Sequence, residues 1–326
     1  MRVLEFGDEH NPSVVVCVHG LTRSAFDFLP LASHLSHRYR VLCPHIVGRG
    51  DSDWLDDPSH YHLGQYAQDM QSLFSQIGLS SAHWVGTSMG GLIALTILGH
   101  PQRQALFGSV AIRSLVLNDV GAVISGKALA RIGQYVGQQP VFERFGEATA
   151  AARQLFASFG PHNEAQWELL AASVVRPLEW HTARSDWKMI GRQKPVGGRR
   201  AWTPDPGCFP RSEADLRAMA AIQGAFRFHY DPDIAEPFRL AHAAGQAEIP
   251  DLVLWPLYDA ITCPTLVVRG VDSDLLSAQT AADMQHRGPR ARLLEVADTG
   301  HAPSLLPATQ IEAVAAFISA SEETLT

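Results

Sequence analysis

Apolar and polar positions along the first third of the chain switch repeatedly between two periods. Ser13–Val18 (SVVVCV) is an unbroken, mostly β-branched run ending at His19-Gly20, the pattern of a strand buried on both faces. Ser24–His37 then places Phe28, Leu31, Ala32 and Leu35 at helical spacing. Tyr39–Cys43 predicts a second strand, stopped by Pro44. Leu63–Ile77 puts Tyr66, Met70, Leu73, Phe74 and Ile77 on one helical face. Ala82–Gly86 predicts a third strand, Met89–Leu98 an apolar helix stopped at His100-Pro101, and Ser114–Leu117 a fourth strand.

The alternation resumes near the C-terminus. Pro264–Arg269 and Ala291–Val296 predict strands, while Ser277–His286 and Ala308–Ala320 predict helices. Strands and helices in turn, with strands apolar on both sides, predict an α/β fold built on a doubly wound, mostly parallel sheet. The stretch between these blocks, residues 121–259, differs. It shows helical patches (Ala148–Phe159, Ala165–Val174, Glu213–Gln223), no strand series, and five of the seven tryptophans: Trp167, Trp180, Trp187, Trp202 and Trp255. It is expected to be a helical cap inserted into a core formed by residues 1–120 and 260–326. Within it, Gly191–Pro210 is rich in Gly and Pro and carries Arg192, Lys194, Arg199 and Arg200, which predicts a long irregular loop with a solvated basic face.

Composition narrows the function classes. The chain has 326 residues, 46% hydrophobic and 18% charged, enough to bury a sizeable core. Its net charge of −7 argues against nucleic acid or an anionic membrane as the main partner. The four cysteines, Cys17, Cys43, Cys208 and Cys263, form no metal-ligand spacing and mostly lie in or beside apolar runs. The first residues, MRVLEFGDEH, lack the apolar stretch of a signal peptide. A reduced, cytoplasmic protein is the expectation.

The chemistry starts at Gly86-Thr-Ser-Met-Gly90, where a predicted strand turns at once into a helix. A serine on such a turn projects its hydroxyl above the sheet at a helix N-terminus, whose dipole and free N–H groups stabilise a nearby oxyanion. Ser88 is therefore the candidate nucleophile. An activated serine needs a base and an acid that orients it. His301, in Asp298-Thr-Gly-His-Ala-Pro after the last strand, is the candidate base. The acid is expected to follow the preceding strand, in Gly270-Val-Asp-Ser-Asp: Asp274 is preferred because it falls just before the next helix, with Asp272 in reserve. The backbone N–H groups of Leu21, in His19-Gly-Leu-Thr, and of Met89 are the candidate oxyanion donors. His19 itself is expected to shape its loop.

Taken together, His19-Gly20, Gly48-Arg-Gly-Asp-Ser52, Gly86-Thr-Ser-Met-Gly-Gly91, the GVDSD loop and Gly300-His-Ala-Pro303 resemble the α/β-hydrolase superfamily over about residues 10–120 and 260–320. The resemblance implies attack of Ser88 on a carbonyl carbon, His301 as general base, Asp274 as its partner, and no metal or organic cofactor. Three departures stand out. His45 occupies a position where the family commonly carries aspartate, the short N-terminus leaves the first edge strand in question, and the basic loop is long for a compact cap. A serine at position 88 argues against the aspartate-dependent epoxide hydrolases and dehalogenases of this fold. Leu21-Thr22-Arg23 and Ala302-Pro303 differ from the patterns of C–C bond hydrolases and favour a small-molecule ester, lactone or thioester as substrate. C–C cleavage of a diketone and non-catalytic ligand binding remain the alternatives. His60-Tyr-His62, His229-Tyr-Asp-Pro, Phe226 and Phe228 are read as structural.

Overall fold

A computed structural model describes residues 1–108, 110–181, 186–189, 192–193, 202–203, 213–243 and 249–323. Seven strands form the central sheet: β1 (Arg2–Phe6), β2 (Val14–Val18), β3 (Arg40–His45), β4 (Ser81–Thr87), β5 (Ala111–Asn118), β6 (Thr265–Gly270) and β7 (Arg292–Val296). Their spatial order is β1-β3-β2-β4-β5-β6-β7, and every pairing is parallel except that of β1 with β3. The short N-terminus thus does supply an edge strand. It also explains why β3 runs past the expected stop: its register with β2 ends at Leu42, but β1 pairs with it as far as His45, opposite Arg2.

The period-two pattern has a direct structural counterpart. Val14, Val16 and Val18 pack into one core with Met70, Phe74, Trp84 and Ile93, whereas Val15 and Cys17 face a second core with Leu31, Val314 and Phe317. Helices α2 (Leu63–Gln76) and α3 (Met89–Gly99) therefore cover one face of the sheet, and α1 (Leu29–Leu35) and α5 (Ala308–Glu323) the other. Helix α4 (Ala278–Met284) links β6 to β7 and sends Ala281 and Met284 into the first core. The central strands bury both faces, which is why Val14–Val18 reads as continuously apolar, whereas the edge strands β1 and β7 keep exposed charged positions.

The insertion between β5 and β6 is not purely helical. Phe145–Leu155 and Glu164–Ala172 are helices as the spacing predicts, the second opened by a reciprocal capping box of Asn163 and Gln166. Beside them lies an antiparallel sheet in the order Val141–Phe142, Phe226–Phe228, Val175–His181, Asp186–Met189. Period counting misses Val141–Phe142 and Phe226–Phe228 because two or three residues cannot display a period. Phe226 and Phe228 lie in this sheet, edge-on to Phe145 and Phe142. Most of Gly191–Pro210, including Lys194, Arg199 and Arg200, lies outside the described residues, although Arg192–Gln193 pairs with Trp202–Thr203. Among the described residues, no helix is long and apolar enough to cross a membrane.

Candidate active site

Strand β4 runs straight into α3 through Ser88, and the turn between them is tight. Ser88 holds φ 50° and ψ −113°, a conformation few side-chain-bearing residues adopt. Its N–H donates to the Asn118 carbonyl at 2.9 Å, tying the turn to the end of the neighbouring strand. The flanking glycines are required by contact. A Cβ at Gly90 would stand 2.0 Å from the Val18 carbonyl oxygen, and one at Gly86 would stand 2.5 Å from the Gly91 nitrogen. Gly90→Ala must push backbone against backbone in a close-packed interior. It is expected to cost about 3 kcal/mol or more. An unchanged melting temperature for that variant would show that the approach is looser than it looks.

His301 reaches over the same sheet edge. Its Nε2 lies 3.0 Å from Ser88 Oγ, and its Nδ1 lies 2.7 Å from Asp119 Oδ2. A carboxylate can only accept here, so Nδ1 carries the proton and Nε2 is left to accept from the serine hydroxyl. His301 is 11% exposed and Asp119 is fully buried. The Asp119 carboxylate is held on both oxygens: Oδ1 accepts from the Gly270 N–H at 3.0 Å, and Oδ2 also accepts from Ser273 Oγ at 2.6 Å. These donors fix the carboxylate in place and aim it at the imidazole.

The carboxylate that meets His301 is thus Asp119 and not the expected Asp274. Asp274 makes a paired contact with Arg131 at 2.7 and 2.9 Å near the surface, where its side chain is 47% exposed. Asp272 is exposed and uses its backbone N–H to bind the Thr299 carbonyl at 2.8 Å. The GVDSD loop does approach the site, but through Ser273, which braces Asp119. The chain order points away from Asp119 because it follows β5 rather than β6. The available signal was the abrupt polar pair Asn118-Asp119 closing an apolar strand that neighbours the one bearing Ser88.

The loop expected to supply an oxyanion donor follows β2. A Cβ at Gly20 would lie 3.8 Å from Ser88 Cβ, so this loop rests against Ser88. Among the described residues, the N–H groups of Leu21 and Met89 donate to no backbone carbonyl, which leaves both available. Arg49, fully buried, donates from Nε to the Leu21 carbonyl at 2.8 Å and lies over the Tyr66 ring. His19 shapes the loop as expected: Nε2 accepts from the Ile46 N–H at 3.0 Å, leaving Nδ1 to donate to the Gly20 carbonyl at 2.8 Å.

His45, the departure from the family's aspartate, is part of a buried polar cluster. Its Nδ1 accepts from the Ala25 N–H at 3.2 Å, and a Cβ at Gly50 would fall 2.0 Å from that nitrogen. Asp51 is paired with Arg176 of the insertion, and Arg176 Nε donates to His229 Nε2 at 3.3 Å. Tyr61 donates to Asp231 at 2.7 Å, and the Asp231 N–H binds the Gly48 carbonyl at 2.7 Å. The Gly48–Ser52 loop and the His229–Asp231 turn thus fasten the insertion to the core.

Burial lowers the His19 pKa to about 3 and holds His45 and His229 well below the ordinary imidazole range. In the unfolded chain these histidines take up protons near pH 6.5, whereas in the fold they do not. Their stabilising contribution is therefore complete above about pH 6.5 and is lost as pH falls, at about 1.4 kcal/mol per pH unit for His19 between those limits. Asp51, whose carboxyl is pushed up by burial, acts with the opposite sign between its ordinary and raised values. Three histidines outweigh it. Melting temperature is expected to drop steadily from pH 6.5 to pH 4.5, and a flat profile there would contradict the neutral assignment.

A sheet of this order, carrying a serine–histidine–carboxylate relay at its C-terminal edge beneath an insertion, defines the hydrolase class. The chain matches the alpha/beta hydrolase fold over residues 13–308 and belongs to that family. It is 37% identical, over 98% of its own length and 92% of the relative's, to a 3-hydroxybutyrate-oligomer hydrolase of Cupriavidus necator. Among solved structures, it resembles an alpha/beta hydrolase from Novosphingobium aromaticivorans (34% identity, 97% of this chain and 93% of that one, TM-score 0.71). It shares the fold of an E-2-(acetamidomethylene)succinate hydrolase (22% identity, 97% and 94% coverage, TM-score 0.66).

Proposed function

We propose that this protein hydrolyses carboxylic esters through an acyl-enzyme on Ser88, and that its substrates are short oligoesters of a 3-hydroxy acid. The observation that carries the reading is the relay Ser88 Oγ, His301 Nε2, His301 Nδ1, Asp119, with bonds of 3.0 and 2.7 Å. His301 takes the hydroxyl proton as Oγ attacks the ester carbonyl. Asp119 stabilises the resulting imidazolium and holds its orientation. The Leu21 and Met89 N–H groups receive the oxyanion. His301 then protonates the departing alkoxide, and water, deprotonated by the same nitrogen, releases the acid.

The substrate class comes from the Cupriavidus relative, which aligns with nearly the whole chain, insertion included. Oligoester length and identity are tested by incubating the purified protein with a linear 3-hydroxybutyrate trimer and with p-nitrophenyl esters of rising acyl length. Release of monomer and dimer from the trimer is the expected outcome. Turnover of the aryl esters alone would retain the esterase and discard the oligomer. A folded protein that cleaves neither would overturn the whole reading.

A further inference from the structure

One segment of the insertion, Phe156–Ser173, grips both loops that serve Ser88. On the base loop, Ser158 Oγ donates to the His301 carbonyl at 2.5 Å, and the Ser158 carbonyl accepts from the Gly300 N–H at 2.6 Å. Four residues on, His162 Nε2 lies 2.7 Å from Ser304 Oγ while its Nδ1 lies 2.8 Å from the Gly160 carbonyl. That carbonyl can only accept, so Nδ1 donates and Nε2 accepts from the Ser304 hydroxyl. The core holds the same loop at Thr299 and Pro303, through the Asp272 N–H and Asn118 Nδ2. The grip on the His301 carbonyl itself comes from the insertion.

On the oxyanion loop the contacts fall just beyond Leu21. Arg23 Nη2 donates to Ser173 Oγ at 2.9 Å and to the Leu170 carbonyl at 3.3 Å, and Ser24 Oγ donates to the Ser173 carbonyl at 2.7 Å. Asp27 holds the Arg23 guanidinium through two bonds of 2.7 Å and accepts from Ser173 Oγ at 2.7 Å. The guanidinium also stacks over Phe156, 4.4 Å from the ring centre, two residues before Ser158. Arg23 is 4% exposed, so this junction is shielded from water. Hydrogen bonds there are costly to leave unmade.

We propose that Phe156–Ser173 sets the base loop and the oxyanion loop as one unit, with Ser158 and Arg23 as positioning residues. Seated, the segment places His301 and the Leu21 N–H around Ser88 together; lifted, it releases both. An ester that holds the insertion down is thereby cleaved, while the open enzyme has neither the base nor the Leu21 donor in line. The inference rests on Ser88, His301 and Leu21 acting as described above.

The test compares Ser158→Ala, Ser173→Ala and the double variant with the wild type, on an ester that the wild type turns over. Ser158→Ala removes the bond to the His301 carbonyl, and Ser173→Ala removes the two that its hydroxyl makes with Arg23 and Asp27; each is expected to lower kcat about five- to tenfold, with KM changed less than about twofold. Ser158→Thr, which keeps the hydroxyl, restores most of the loss. Because either change frees the same segment, the double variant is expected to lose clearly less than the product of the two single losses. Losses that multiply would reveal two independent local contacts and overturn the proposal, as would single variants with unaltered kcat. Should Ser173→Ala fail to fold, Ser24→Ala cuts the same seam from the core side. Failure of the underlying reading is distinguishable: Ser88→Ala would then still turn over.

Discussion

Ser88→Ala is expected to lower kcat/KM on any cleaved ester by roughly 10⁵–10⁶-fold, to the level left by binding and the oxyanion donors. Alanine removes the atom that His301 Nε2 faces at 3.0 Å and nothing else in the site. Folding is expected to be retained, because the strained turn is held by its backbone: the Ser88 N–H binds the Asn118 carbonyl, and the Gly91 and Leu92 N–H groups bind the Ser88 carbonyl. Alanine must still adopt φ 50°, so a small loss of stability accompanies the change. A fluorophosphonate is expected to label the wild type and leave the variant unlabelled. If Ser88→Ala kept more than about 1% of the activity, the covalent mechanism would be wrong, since no step replaces the acyl-enzyme.

The second large effect separates the carboxylate that meets His301 from the one expected from the chain. Asp119→Asn is expected to lower kcat by about 10⁴-fold, and Asp274→Asn to leave it within about twofold. Asp119 accepts from three donors: His301 Nδ1, Ser273 Oγ and the Gly270 N–H. An asparagine has one acceptor oxygen and must turn its NH2 toward one side. Turned toward His301, it forces the proton onto Nε2, which then faces Ser88 as a donor and cannot serve as base. Turned toward Gly270, it meets another donor and leaves a buried N–H unpaired. Asp274 and Arg131, by contrast, are nearly half exposed, and such pairs contribute at most about 1 kcal/mol. Steady-state rates on one ester decide the matter. A silent Asp119→Asn with an inactive Asp274→Asn would mean that the GVDSD loop rearranges before catalysis.

These two predictions show where the chain was legible. The central strands were readable because each is buried on both faces, so that Val14–Val18 is apolar throughout. Ser88 was readable because its geometry is local: a strand, two obligatory glycines and a helix lie within a few residues. His301 was readable from its place after the last strand. The acid was not. Asp119, Asp272 and Asp274 all follow sheet strands, and composition cannot tell which of them meets an imidazole donated by a loop some 180 positions away.

The amino-acid sequence by itself determined the layered sheet, the strand–helix turn at Ser88, the place of His301 after the last strand and the loop after β2, since each depends on residues close together along the chain. Tertiary structure decided the rest. The order β4-β5-β6 puts the end of β5 beside the nucleophile turn, so Asp119 becomes the buried partner of His301 while Asp274 stays at the surface. The same packing brings Ser158 and Ser173 of the insertion to the two loops around Ser88. The physical reason is common to these cases: a hydrogen bond of about 3 Å is set by distance in space, and pairing between remote segments leaves no period in the sequence.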